Sequence, residues 1–420
     1  MIRILHVFGK LNMGGAETRT MDLYEHIDRT KVQFDFLCHY APTKEDLAKI
    51  HGTSSEELSK VRPAEDFDAK IRSLGGRIFV LPRFTGTNLP AYERAVSAFF
   101  ASHHDFAAVE GHMTSTASIY LPAAKKAGVP VTIAHARSAG VDAGIRGVAT
   151  RLFRASLFKK CGYMLSCSRP AALSVFGKKA CEAKPLEAVN TASIAKRLGA
   201  VQVVPNALDV RSFAFDSAAR AAIRGEFGIG EDDIVLGHVG RFDPVKNQAY
   251  LAPVLSDLKE KFPGRRIVIL FVGRGDQTKT KEAFAERHLT DQVIYAGLCD
   301  RERTRKMYQA FDAFVFPSLY EGLPGTVVEA QASGLSCVIS DAITDEVCVT
   351  KRVTRVPLSN PSQWVDRIRE VIEKPEDRKE CSDEALISLQ RAGFDIETAA
   401  PCMENWYLAA TQDADHYYLI

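Results

Sequence analysis

At 420 residues the chain exceeds one ordinary hydrophobic core, and a domain size of roughly 100–200 residues points to two domains. Apolar residues make up 46% and charged residues 25%, the mix expected of a soluble globular protein, and no apolar run approaches the ~20 residues of a spanning helix. The net charge of +2 conceals an asymmetry: residues 1–207 hold 28 Lys and Arg against 18 Asp and Glu, giving +10, and the remainder holds 26 against 34, giving −8. No nucleic-acid partner is expected.

The chain opens with MIRILHVFGKLNMGGAE, a short apolar run that passes into a polar glycine turn with no small-residue cleavage site. It reads as the first buried strand of a cytosolic enzyme. VQFDFLCHY, GRIFVLP, FAAVEGH, VPVTIAHA and GYMLSCS continue as strands, with helical stretches such as ETRTMDLYEHI and YLPAAKKAG between them. That alternation is the pattern of parallel strands joined by crossover helices. Residues 41–68 and 178–199 interrupt it and read as helical or mobile insertions. Between Arg137 and Lys179 nine basic residues are opposed only by Asp142, so this segment is either an ordinary solvated helix face or a surface that lies against anionic lipid or holds an anionic substrate.

In VVPNALDVRSFAF a strand ends at Pro205 and Asn206, which places a domain boundary near residue 207. DIVLGHVG, RIVILFVG, QVIYAG, AFVFPS and SCVIS then repeat the alternation in a second domain over 208–395. Residues 386–412 read as helical, and 396–420 is expected to return to the first domain. Nine scattered cysteines without a Cys-x-x-Cys pair match neither a disulfide framework nor a zinc site.

Ligands of open α/β sheets sit beyond the carboxyl ends of the strands, so the glycine-rich turns are the candidate sites. In GKLNMGGAE, Gly14 and Gly15 would let amides approach an anion at a helix start, although a plain turn and cap reads equally well. GRFDPVKNQ sets the forked donor of Arg241 near the mobile charge of Lys246, a pairing suited to a diphosphate. Gly273 in VGRGDQ and Gly297 in YAG follow strands and would allow a nucleobase to approach main-chain groups, or could be tight turns.

EGLPGTVVE is the most specific stretch: Glu321 and Glu329 flank a turn containing Gly322, Leu323 and Gly325. Ionised carboxylates accept hydrogen bonds only and suit the hydroxyl pairs of two sugars. Following Phe-Pro-Ser, and preceded by Gly-Arg-x-x-x-x-Lys-Asn, the early Gly-Gly-x-Glu and the mid-chain Pro-Asn, this pair of acids resembles the motif set of the retaining nucleotide-sugar glycosyltransferases of the GT-B fold, family four. IAHARS, SCSRPAALSVFG, VVPNALD, EGLPGTVVEAQASGLSCVISDAITDEV and the late NWY are similar to the bacterial capsule and exopolysaccharide branch.

The resemblance implies an α/β architecture of two Rossmann-like, doubly wound parallel-sheet domains facing a cleft. It further implies that Glu321 contacts the donor sugar, that Glu329 holds the ribose, and that Arg241 and Lys246 neutralise the leaving diphosphate. Gly15 would offer its amide to the phosphates, His135 would lie near the donor sugar, and Gly14, Asn206, Gly273 and Gly297 would line the donor site. No metal and no cofactor is implied. The two Asp-x-Asp triplets, Asp66 to Asp68 and Asp413 to Asp415, lie in an insertion and at the chain end. Where the family commonly has Pro-Asn-Gly this chain has Ala207, which puts a left-handed turn there in doubt, and Gly325 replaces a bulkier apolar residue.

The reading that follows is a retaining, metal-independent hexosyltransferase using a nucleoside-diphosphate sugar, most simply a UDP-sugar. Its acceptor would be a lipid-linked or oligosaccharide glycan of surface polysaccharide synthesis, met in the cytoplasm or peripherally at the inner face of the membrane. A nucleotide-sugar epimerase or phosphorylase of the same fold, and a non-catalytic sugar-nucleotide-binding subunit, are the alternatives.

Overall fold

The structure is a computed structural model that describes residues 1–140, 145–177, 184–185 and 201–417. Apart from 184–185, the expected insertion at 178–199 lies outside the described residues. The chain forms two compact units, Met1–Ala207 with Ile396–Ile420, and Leu208–Asp395.

The first unit is built on a sheet of eight strands: β1 (Ile2–Val7), β2 (Val32–Tyr40), β3 (Ile78–Pro82), β4 (Ala108–Gly111), β5 (Val131–Ala136), β6 (Tyr163–Ser166), β7 (Lys184–Pro185) and β8 (Val201–Val203). Their order is β3-β2-β1-β4-β5-β6-β8-β7, and every pairing is parallel. Both faces are covered, so the strands read as nearly continuous apolar runs rather than alternating ones. The helix Ile396–Tyr417 closes one face: Trp406 and Tyr407 are buried in the same cluster as Phe34, Phe36 and Tyr24. Trp406 Nε1 donates to Gln202 Oε1 at 2.8 Å, and Glu404 accepts from the Asp28 amide at 2.9 Å and from Lys31 at 3.0 Å. A buried aromatic anchor of this kind is worth about 3–5 kcal/mol on truncation to alanine.

The insertion at 41–68 carries two short helices, Lys44–Leu47 and Ser55–Val61, each started by a side-chain cap from Thr43 or Ser54. Its carboxylates are committed to structure. Glu65 accepts the Leu11 amide at 2.6 Å, Asp66 accepts the Met13 amide at 2.8 Å, and Asp68 takes both of its bonds from Arg62 at 2.7 Å. Of the triplet Asp66 to Asp68, Asp66 therefore braces the turn after β1 and Asp68 is paired with Arg62 within the insertion. The side chains of Asp413 and Asp415 lie outside the described residues.

The second unit has six parallel strands, β9 (Ile234–Val239), β10 (Ile267–Val272), β11 (Val293–Gly297), β12 (Ala313–Phe316), β13 (Ser336–Ser340) and β14 (Val353–Val356), in the order β11-β10-β9-β12-β13-β14. β14 is absent from the sequence reading because an edge strand needs no apolar run. Its residues VTRV are mostly part-exposed, with Arg355 pointing to solvent.

Strand order reverses between β1 and β4 in the first unit and between β9 and β12 in the second. Neighbouring crossovers there lead to opposite faces, which opens a crevice beyond the strand ends. Gly14 and Gly15 follow β1, and Arg241, Lys246, Glu321 and Glu329 follow β9 and β12, the strands at these reversals; His135, Asn206, Gly273 and Gly297 lie at the ends of other strands.

Candidate active site

In the second unit, β9 runs into Gly240 and Arg241. Asp243 then caps the Val245 amide at 3.0 Å and starts a single tight turn over Pro244–Lys246. Asn247 follows in the left-handed region at φ 54°, where a short amide side chain is tolerated, and its Nδ2 donates to the Pro317 carbonyl at 3.2 Å. The Leu319 amide reaches the Val245 carbonyl at 2.8 Å. These two bonds stitch the loop after β9 to the loop after β12. They bring Lys246 Nζ to 2.6 Å from Glu321 Oε1 and to 4.8 Å from the centre of the Phe316 ring. The pair is less than one-fifth exposed, so solvent screening is reduced. Arg241 is exposed in the adjoining turn.

Backbone approaches backbone where β9, β10 and β11 end. Gly273, at φ 148°, donates its amide to the Gly297 carbonyl at 2.8 Å, and a Cβ there would lie 2.0 Å from the Gly240 carbonyl oxygen. Only glycine fits that position. Beyond β12, Gly322 and Leu323 are buried, and Pro324 leads into the helix Gly325–Ala332 with no side-chain cap, so its first amides present the positive end of the helix dipole. Glu329 lies on this helix, 6% exposed, and its Oε2 accepts from the Tyr308 hydroxyl at 2.8 Å. The same hydroxyl lies 3.1 Å from the Thr326 carbonyl. Tyr308 was not legible as a site residue: it ends the charged helix Arg301–Ala310, where a buried aromatic reads simply as core.

In the first unit the expected residue His135 is buried at the end of β5, and its Nδ1 lies 2.7 Å from Glu110 Oε1. Glu110 Oε2 takes a short hydrogen bond from the Tyr407 hydroxyl. Arg137 donates through Nε to His112 Nδ1 at 3.3 Å and through Nη1 to Asn206 Oδ1 at 2.8 Å. His112 Nε2 lies 3.1 Å from His6 Nδ1. Burial opposes the charge on Glu110, but the His135 hydrogen bond and the nearby His112 and His6 hold its pKa well below the usual carboxylate range. Burial and the Arg137 charge keep His135 neutral, with a pKa lowered to about 4. His6, Glu110, His112 and Tyr407 escaped the sequence reading because each sits within an ordinary apolar stretch.

His6, Glu110 and His112 each bring one potential ligand atom within 4.8 Å of the others. The donor set does not suit a metal. A guanidinium only donates, so His112 Nδ1 is the acceptor and its proton sits on Nε2, the atom a metal would need bare. His6 and His112 are hydrogen-bonded to each other, and Glu110 lies 3.6 Å from His112 Nε2 with its own bonds to His135 and Tyr407.

The remaining expected residues divide between the units. Gly14 and Gly15 start the helix Gly15–His26 in the first unit; a Cβ on Gly14 would lie 2.4 Å from Glu17 Oε2, whereas one on Gly15 meets nothing. Asn206, expected at the donor, is bound to Arg137 in the first unit. Ala207 keeps an ordinary negative φ, so the chain makes its turn there without a left-handed residue.

Residues 14–172 match the family described as "Glycosyl transferase 4-like domain", and residues 219–386 match "Glycosyl transferases group 1". Over 420 residues the chain is 32% identical to the protein named glycosyltransferase EpsF of Bacillus subtilis (strain 168), covering 99% of this chain and 98% of that one. A UDP-Gal:alpha-D-GlcNAc-diphosphoundecaprenol alpha-1,3-galactosyltransferase of Escherichia coli is 29% identical over 36% of this chain and 39% of its own. Among solved structures, Anabaena Alr3699/HepE in complex with UDP superposes with a TM-score of 0.70 at 16% identity, covering 96% of this chain and 99% of that one. The chain belongs to the group 1, family-four-type glycosyltransferases, and its two parallel-sheet Rossmann-like domains are those of the GT-B fold.

Proposed function

We propose that the protein transfers a hexose, with retention, from a UDP-sugar to a lipid-linked glycan of surface polysaccharide synthesis. The observation that carries this reading is the second unit's site, where Lys246 and Glu321, the Tyr308-bound Glu329 and an uncapped helix start surround the strand-order reversal. Glu329, with one oxygen oriented by Tyr308, would accept from the ribose hydroxyls. Lys246 and the exposed Arg241 would take up the charge that grows on the diphosphate as the glycosidic bond breaks. Glu321, released from Lys246, would hold hydroxyls of the hexose.

In this reading the leaving phosphate helps take the acceptor proton and no protein nucleophile is used. Arg241, Lys246 and the helix dipole supply the positive charge, and no metal is required. The named substrate of the Escherichia coli relative supports a UDP-hexose donor and a lipid-diphosphate acceptor, and the name EpsF supports an exopolysaccharide role. No helix among the described residues is long and apolar enough to cross a membrane. Peripheral contact would fall to the basic segment 137–179. Its helix Ile145–Ala155 exposes Val148 and Leu152 beside Arg151, a face suited to an anionic bilayer.

The test is thermal shift of the purified chain with UDP, GDP, ADP and NAD, with and without EDTA, followed by transfer assays with UDP-hexoses. Stabilisation by UDP that survives EDTA and is lost in Lys246→Ala, followed by transfer of the hexose to an acceptor in an axial linkage with release of UDP, supports the reading. A response that needs a divalent cation, or none to any nucleotide, refutes it.

A further inference from the structure

Behind Glu329 a ring of hydrogen bonds closes wholly inside the second unit. Tyr308 donates its hydroxyl to Glu329 Oε2 at 2.8 Å, and one helical turn after Glu329 the Ser333 amide donates to the Glu329 carbonyl at 3.1 Å. Arg378 completes the circuit: its Nη2 donates to the Tyr308 carbonyl at 2.7 Å and its Nε to the Ser333 carbonyl at 2.9 Å. Tyr308 stands in the last turn of the helix Arg301–Ala310, and Ser333 caps the end of Gly325–Ala332, so one guanidinium joins the negative ends of two helix dipoles. The close approach depends on Gly334, at φ 71°, where a Cβ would lie 2.4 Å from the Arg378 carbonyl oxygen. The Phe215 ring supports the guanidinium from one side, its centre 4.9 Å from Arg378 Cζ.

Capping of the helix end alone does not call for Arg378. Arg220 donates to the Gln309, Ala310 and Phe311 carbonyls and Arg224 to that of Ala310, so two other guanidiniums already serve the last turn. What Arg378 adds is its pair of bonds to Tyr308 and Ser333, the two residues that hold Glu329 by side chain and by backbone. We propose that Arg378 is a positioning residue for donor binding: it fixes Tyr308 against Glu329 and so holds the carboxylate at the angle that receives the ribose hydroxyls. The inference rests on the reading of Glu329 as the ribose acid. A lysine here would keep the charge, but one ammonium cannot reproduce a rigid fork across two helix ends. Tyr308 then turns more freely, and the carboxylate loses its aim.

The experiment is calorimetry of the full chain with UDP and with 2′,3′-dideoxy-UDP, which lacks the hydroxyls Glu329 would receive. The wild type should favour UDP. Arg378→Lys should bind UDP about five-fold more weakly with dideoxy-UDP affinity unchanged, so the preference narrows by the same factor. Combining Arg378→Lys with Tyr308→Phe should lose no more than either alone, because both act through one hydrogen bond. Equal weakening towards both nucleotides is the mark of a merely structural residue and overturns the proposal, as do losses that multiply in the double variant. If Arg378→Lys does not fold, Phe215→Leu decides, since it leaves the guanidinium in place without the ring beside it. A preference narrowed about two-fold there upholds the proposal, and an unchanged preference overturns it. A wild type that prefers UDP, with that preference intact in folded Arg378→Lys, overturns this inference alone. A wild type that binds no UDP, or binds dideoxy-UDP equally well, takes the ribose reading of Glu329 down with it.

Discussion

The two units place different chemistry at the same topological point. β1 and β9 each carry a buried histidine one residue before their ends, His6 and His238, beside the reversal of strand order. In the first unit that histidine is hydrogen-bonded to His112, which accepts from Arg137, beside a second set in which Glu110 bonds His135 and Tyr407. In the second, His238 has no hydrogen-bond partner for either ring nitrogen among the described residues, and the part-exposed pair of Lys246 and Glu321 supplies the nearby charge. The first arrangement fixes protons in a dry interior, while the second keeps charges exchangeable with a ligand. Net charge sharpens the contrast less than the linear sequence suggests. The returning residues 396–420 add four acids and no base, so the first unit holds 28 basic against 22 acidic residues, and the second 26 against 30.

Acid should separate the units most strongly. His6, His39 and His135 have pKa values lowered to about 4 by burial, and burial holds His112 lower than usual as well; the second unit has His238, lowered to about 3 by burial and Lys246. Because the unfolded chain binds these protons first, stability is intact above the ordinary histidine pKa of about 6.5 and is lost as pH falls towards 4. At pH 5 each of His6, His39, His135 and His238 costs about 2 kcal/mol, so the first unit, with three of the four, should unfold ahead of the second. Hydrogen exchange at pH 5 and pH 7 measures this; equal loss of protection in both units would contradict it.

Next in size is Lys246→Ala, which removes the charge facing the leaving diphosphate and should lower kcat about 100-fold with the first unit's melting unchanged. A variant retaining more than half of wild-type turnover would remove Lys246 from the chemistry. Glu329→Ala should weaken UDP binding about ten-fold by calorimetry, whereas Glu321→Ala should mainly slow turnover and leave UDP affinity near wild type. The reverse pattern would exchange their assigned roles. The smallest effect is expected from Tyr308→Phe, about five-fold in UDP affinity, because Glu329 stays in place and only its orientation loosens. No change there would make the Tyr308 hydrogen bond a packing feature.

What was legible and what was not divides along the range of the interactions. Strands such as RIVILFVG and VPVTIAHA were readable because both faces of a parallel sheet demand unbroken apolar runs, and the turn EGLPGTVVE because glycine and proline punctuate the chain locally. β14 was not, since an edge strand carries no such run.

The sequence by itself determined two parallel α/β sheets, the turns that end their strands, and the acids and bases near those turns, because periodicity and backbone geometry act over a few residues. Only the tertiary structure decided that Lys246 meets Glu321, that Tyr308 holds Glu329, and that Tyr407 closes on Glu110 beside His135. Those partners lie 75, 21 and 297 residues apart, and hydrogen bonds over such separations leave no periodic trace in the chain. They exist only once packing has excluded water and left each buried polar group one partner to find.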